Sequence, residues 1–307
     1  MATFTLEPVP PFDFDLTAAI FASGDPQFRI FRDGIFRHAL EIGTTPVLAE
    51  VRSSGTHDTP RLSVTIRSDR PITNRITRES AGIIAQVLGI ADDLSGFYLA
   101  MDADPVMADL VRQLNGLRAP VTPTVFEALT DSVIEQQISL KAARSIENRL
   151  IRTVGRQLHI DNTIFYTYPD AEILAQTTDS TFRSLGLTIR KGEYIRDISR
   201  KIIAGDLDTE SFRQYQDTES IISEMVKLRG IGRWTAELTI LRGLHRPDAF
   251  PADDVGVRRF ISQYYREGQK ISSSDARSFA ERWGTWKGFA AYYLEVADLL
   301  GIHPRTG

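Results

Sequence analysis

The 307-residue chain has no cysteine, which excludes disulfides, iron–sulfur clusters and thiolate zinc sites. Its five histidines are scattered and show no HxxxH-type spacing, which argues against a metal enzyme. No window approaches 18 uninterrupted apolar residues, so no membrane-spanning helix and no membrane partner are expected. Met1–Thr5 lacks the basic region and apolar core of an export signal, so a cytoplasmic location is expected, on the nucleoid if the source is prokaryotic. There is also no excess of positive charge: the net charge is −4 and the pI about 5.8. That balance disfavours a nonspecific nucleic-acid coat, but the field that matters for binding is local. Residues 226–260 carry seven Lys/Arg against four Asp/Glu, a local +3 in an acidic chain.

What is present sorts into two parts. Residues 1–70 read as strands: Gln27–Arg32 and Ile35–Ile42 flank Asp33-Gly34, a short hairpin turn, and Pro46–Arg52 and Pro60–Arg67 follow. Alternation in Leu62-Ser63-Val64-Thr65-Ile66-Arg67 predicts a half-buried antiparallel sheet. A helix is predicted over Thr77–Leu88, with a boundary within 90–122. From Thr124 onward the periodicity is helical almost throughout, with Phe126, Leu129, Val133 and Ile134 on one face. The expected fold is α+β, mainly α: an N-terminal domain with an antiparallel sheet (1–95), then an all-helical body (96–307) of two subdomains with a cleft between them.

The most informative stretch is Leu228-Arg229-Gly230-Ile231-Gly232-Arg233-Trp234-Thr235-Ala236. Helices are predicted over 218–228 and 233–243. The glycines between them permit a tight turn and expose backbone N–H groups at a helix start, a site for a phosphate. Such contacts position a protein on a nucleic-acid backbone without reading its sequence. About one helix later comes Pro251-Ala252-Asp253-Asp254, a carboxylate pair before a helix. A helix N-terminus favours negative charge, so this position suits either a cap or a functional carboxylate. Adjacent carboxylates repel, and both should not enter one dry pocket.

Leu228–Ala236 together with Asp254 resembles the helix-hairpin-helix (HhH-GPD) superfamily of DNA glycosylases. Ser132–Ser139, Leu185–Lys191 and Glu281-Arg282-Trp283 with Trp286 fit the same family. With the strand-rich start, the chain is most similar to the alkylbase branch, of the 3-methyladenine DNA glycosylase II type. The resemblance is dense over about 93–300 and architectural before that.

The resemblance implies a monofunctional enzyme of base excision repair, acting as a monomer on double-stranded DNA that holds damaged bases. It flips alkylated purines out of the duplex and hydrolyses the N-glycosidic bond. Asp254 matches the catalytic aspartate, whose anion stabilises oxocarbenium character on the sugar or activates water. Trp234 stands where family members that also cut the backbone carry a lysine nucleophile, so no lyase activity is expected. Its alternatives are a core residue or a wall of the base pocket. Leu238, Val255, Glu295 and Phe126 are counted with it as pocket residues. Leu238, Val255 and Glu295 stand where that branch carries aromatics, which puts the substrate range in question. Glu295 either meets a base edge or, the favoured reading, faces solvent; Phe289, Tyr292 and Tyr293 are candidates for the missing aromatic surface or for core.

Gln137, then Ile138 and Gln136, match the wedge that fills the gap left by a flipped nucleotide. Gly230, Ile231, Gly232, Arg233, Thr235, Arg190 and Lys191 match positions at the DNA backbone. No side-chain metal site and no organic cofactor are implied, but a Na+ or K+ ion held by the carbonyls of Leu228 and Gly230 is. An aspartate in place of Gly230 is expected to weaken binding to all DNA alike. The rival readings are a helix-hairpin-helix glycosylase for oxidised or deaminated bases, and a noncatalytic hairpin module that binds DNA structurally.

Overall fold

The structure, a computed structural model, describes residues 1–22 and 24–304. Five strands, β1 (Ala2–Leu6), β2 (Arg29–Arg32), β3 (Ile35–Ile42), β4 (Thr45–Ser53) and β5 (Leu62–Arg67), form an antiparallel sheet in the order β1-β5-β4-β3-β2. Asp33 and Gly34 both adopt positive φ (53° and 69°), and Arg32 pairs with Ile35, so the predicted tight hairpin is present. Helix α1 (Phe14–Phe21) interrupts the stretch read as strands. Leu62, Val64 and Ile66 point inward and join α2 (Asn74–Val87) through Ile84 and Val87.

The sheet is less half-buried than its β5 alternation predicts, because β3 and β4 are covered on both faces. Ala39 and Leu48 pack against Leu158, Ile160 and Phe165 of a small hairpin, β6 (Gln157–Ile160) and β7 (Thr163–Tyr166). That hairpin lies inside the region expected to be wholly helical. Two four-residue strands are too short for period-two alternation to stand out from a helical background.

The helices build two cores. The first joins α5 (Val125–Glu135), α6 (Leu140–Val154), α7 (Ala171–Gln176), α8 (Asp179–Leu185), α9 (Ile189–Ala204), α10 (Thr218–Met225) and α11 (Arg233–Thr239). The second joins α3 (Ser95–Met101) and α4 (Pro105–Gln113) to α12 (Val255–Tyr265), α13 (Ser273–Ala280) and α14 (Lys287–Leu300). Trp283, from the motif near the end of the chain, is buried there and donates its indole N–H to Asp104 at 3.1 Å. Phe289 and Tyr293 are also core; Tyr293 packs on Phe97 and donates to Leu117 O. Ala249 belongs to the first core, whereas Phe250 and Ala252 belong to the second. The chain therefore crosses between the helical cores just before Asp254.

Candidate active site and nucleic-acid interface

The glycine turn between α10 and α11 closes through Leu228 N–H on Met225 O and Ile231 N–H on Leu228 O. Gly230 has φ +86°, and a Cβ there would sit 2.2 Å from the Tyr194 ring. Only glycine fits this backbone and this approach. An aspartate at Gly230 would therefore break the hairpin itself, so the substitution expected to test phosphate binding tests folding instead. Ile231 points its side chain into the first core. Side chains cap α9, α10 and α12 at Thr188, Asp217 and Asp254, whereas α11 starts at Gly232 with no capping side chain. The N–H groups of Gly232, Arg233 and Trp234 have no acceptor among the described residues.

Asp254 caps α12: its Oδ1 accepts from the N–H groups of Gly256 (2.7 Å) and Val257 (3.1 Å). Its Oδ2 accepts from Trp234 Nε1 at 3.0 Å. One residue thus both caps α12 and meets Trp234, and Asp253 is exposed. The hairpin's aromatic and the carboxylate twenty residues on, noted separately in the sequence, are in direct contact. Trp234 is half-buried and lies outside the apolar cores.

The remaining candidates divide. Leu238 is buried one turn beyond Trp234. Phe126 is buried in the first core, among Val125, Leu129 and Ile134, so its ring serves packing. Val255 is 72 % exposed and is not enclosed by other side chains. Glu295 does not face open solvent: it is half-buried, within reach of the charges of Arg242, Asp254 and Glu135. Burial raises its pKa; Arg242 and Arg144 oppose that rise, and Asp254 and Glu135 add to it.

In the wedge segment, Gln137 is exposed with φ +58° at the apex of the α5–α6 link, and Ile138 beside it is exposed. Gln136 is not free to enter a groove, because its Nε2 donates to Gly230 O (2.9 Å) and Thr235 Oγ1 (3.1 Å). It braces the link against the hairpin, and Thr235, buried, is its partner rather than a backbone contact. Lys191 is likewise occupied: Nζ donates to Ile134 O (2.8 Å) and Gln136 O (2.6 Å), closing the C-terminus of α5. Burial lowers its pKa. Arg190 is exposed and makes no hydrogen bond or ion pair among the described residues. Leu140, 42 % exposed at the first position of α6 directly after the Ser139 cap, adds a third exposed side chain to this link.

The local +3 of 226–260 is largely neutralised. Lys227 pairs with Glu224, Arg229 with Glu193 and Asp197, Arg233 with Glu219 and Glu237, Arg242 with Glu135, and Arg259 with Asp298. Arg246 donates to the carbonyls of Tyr215 and Gln216. Arg233 therefore holds the hairpin's carboxylates rather than offering a free cation. Among the described residues no three of His, Cys, Asp and Glu are grouped to hold a metal ion.

Two helices joined by a glycine turn, with an aspartate that caps a neighbouring helix and meets the residue after the turn, describe one class of protein. Residues 130–285 match the HhH-GPD superfamily base excision DNA repair protein family, and the chain belongs to it. It is similar to a DNA-3-methyladenine glycosylase of Bacillus subtilis, 30% identical over 231 residues, 75% of each chain. A probable N-glycosylase/DNA lyase of Methanothermobacter thermautotrophicus is 25% identical over 94% of this chain and 93% of its own. The 3-methyladenine DNA glycosylase structure from Archaeoglobus fulgidus superposes with a TM-score of 0.85 at 25% identity, covering 97% of this chain and 98% of its own.

Proposed function

We propose that the protein is a monofunctional DNA glycosylase that flips alkylated purines of the 3-methyladenine type out of duplex DNA and hydrolyses their N-glycosidic bond. The observation that carries this reading is the Trp234 Nε1–H to Asp254 Oδ2 contact at 3.0 Å. An indole cannot form a Schiff base, so nothing at that position of the hairpin opens a lyase route. Lys227, before the turn, is paired with Glu224. Asp254 is left to act alone. Held by two backbone N–H groups and one indole N–H, the carboxylate is oriented before substrate arrives and needs no reorganisation as positive charge builds on the sugar. An alkylated purine already carries positive charge and leaves without a strong general acid; water completes the hydrolysis. The Trp234 ring offers an aromatic face to an electron-poor base.

The uncapped start of α11 receives a phosphate, and Gln137, Ile138 and Leu140 fill the stack behind the flipped nucleotide. Leu228 O and Gly230 O each already accept one hydrogen bond, from Ile231 N–H and Gln136 Nε2–H. Each keeps one lone pair for a monovalent cation, which fits a weakly held ion that would tie the turn to a phosphate.

The test is release of base from duplexes holding 3-methyladenine, 1,N6-ethenoadenine, hypoxanthine or 8-oxoguanine, assayed before and after alkaline strand cleavage. Release of the alkylated bases without intrinsic cleavage is expected. Cleavage without alkali would replace this reading by a lyase for oxidised bases, and no release from any lesion would leave only a DNA-binding module.

A further inference from the structure

Unlike Asp254, Glu135 and Arg242 around it, Glu295 has no hydrogen-bond or ion-pair partner among the described residues. Its place follows from two ties between α12 and α14. Arg259 pairs with Asp298 at 2.8 Å, and Tyr264 Oη donates to Ile302 O at 2.7 Å. Residue numbers rise together along both helices, so the helices run parallel. One turn back from the Arg259–Asp298 pair lie Val255 on α12 and Glu295 on α14. The Glu295 carboxyl therefore faces the start of α12, where Asp254 sits.

The charges there do not balance. Glu295 and Glu135 face the half-buried guanidinium of Arg242, which Glu135 already holds at 2.6 Å; Asp254 adds a third carboxylate beside Glu295, and the exposed Arg144 is the second cation in its range. Tyr292 Oη, which feels both Glu295 and Arg242, is buried without a hydrogen-bond partner. A cleft with this surplus of carboxyl groups lacks one cation and has an unused hydroxyl beside it.

We propose that Glu295 is a specificity-determining residue of the base cleft, selecting purines that carry a formal positive charge over neutral lesions of similar size. Coulomb attraction between the carboxylate and a ring alkylated at N3 or N7 acts on the cation and has no counterpart for a neutral base. The carboxylate so replaces with charge part of what an aromatic wall would supply by its π-face. The inference rests on the glycosylase reading above.

The test compares the full chain with Glu295→Gln, which keeps the shape and removes the charge, and with Glu295→Leu as a second variant. Three quantities are read: single-turnover release of 7-methylguanine (cationic), release of hypoxanthine (neutral), and affinity for a duplex with a tetrahydrofuran abasic analogue, which presents no base. In Glu295→Gln, 7-methylguanine release should fall about tenfold or more, with hypoxanthine release unchanged or raised and abasic affinity within about twofold. No hydrogen bond is lost, so the melting temperature should not fall. Release of 7-methylguanine within about twofold of the unmodified chain, or a parallel fall in all three quantities, overturns the role of Glu295. The unmodified chain is also assayed for 3-methyladenine release: if neither alkylated base is released the glycosylase reading itself fails, whereas release of 3-methyladenine without 7-methylguanine overturns the role of Glu295 alone.

Discussion

Asp254 uses its two oxygens for different ends: Oδ1 closes the first turn of α12, and Oδ2 is held by Trp234. The substitution Asp254→Asn separates these tasks. Asparagine keeps the cap through its one carbonyl oxygen, but its amide nitrogen cannot accept from Trp234 Nε1–H, so stability should fall by about 1–3 kcal/mol in thermal melting. Base release should fall by about a hundredfold or more, because the anion opposite the developing sugar cation is gone. Equal activity would remove Asp254 from the chemistry. Trp234→Phe keeps a ring but deletes the N–H donor; losing one hydrogen bond to a charged group predicts a fall of about ten- to a hundredfold in single-turnover release. Abasic-DNA affinity, measured alongside, should hold, since the hairpin backbone is untouched.

The hairpin, the wedge link and the start of α9 form one braced unit. Gln136 ties the link to Gly230 O, and Lys191 ties the end of α5 to α9. Lys191→Met leaves two carbonyls without their donor and should destabilise the protein by about 1–3 kcal/mol in denaturant unfolding. Loss of DNA affinity without loss of stability would instead mark Lys191 as a DNA contact. Phosphate binding by the hairpin is tested at Gly232 rather than at Gly230. Gly232 has extended backbone and open space around its Cβ position, so aspartate fits there and even caps α11. Gly232→Asp should keep the fold yet weaken binding to intact, lesion-bearing and abasic duplexes alike, by about tenfold, in titrations at one salt concentration. A loss confined to one lesion would contradict backbone contact.

The N-terminal sheet is fastened to the first helical core by buried charge. Arg29 on β2 meets Glu127 at 3.3 Å and Glu147 at 3.7 Å, and Arg152 holds the buried Asp25 through two 2.7 Å bonds; beside Glu127 and Glu147, within the helical body, Asp131 accepts from Tyr168 Oη at 2.7 Å. Burial, opposed by Arg29 and reinforced by Glu147, pushes Glu127 up to about 7. A carboxyl whose folded pKa is raised contributes stability that is fully present below its unfolded value and is lost as pH rises through the folded one. Between about pH 4.5 and pH 7, this site alone should therefore cost the folded state up to about 3 kcal/mol. Glu127→Gln should flatten that part of the stability–pH curve, measured by denaturant unfolding across pH 5–8. An unchanged slope would show that Asp131 and Glu147 take up the proton instead.

Much of the hairpin was legible in the chain because its causes are local. Two glycines, a helix on either side and an acidic cap depend on neighbours a few residues away, and backbone sterics act at that range. The β2–β3 turn was readable for the same reason. Properties that depend on distant partners were not. The basic run 226–260 looked like a DNA-facing patch, but its charges are spent on Glu193, Asp197, Glu219, Glu135 and Asp298. Lys191 and Gln136 carry donor groups suited to DNA, yet carbonyls and a hydroxyl brought up by folding had already claimed them. Glu295 read as solvent-facing because helical periodicity says which face a residue occupies, not what packs opposite; only the parallel packing of α12 and α14 turns it toward Asp254. Residue types and short spacings settled the hairpin and its carboxylate, and the meeting of remote helices decided which charges remain free to act, since hydrogen bonds and ion pairs follow distance in space rather than along the chain.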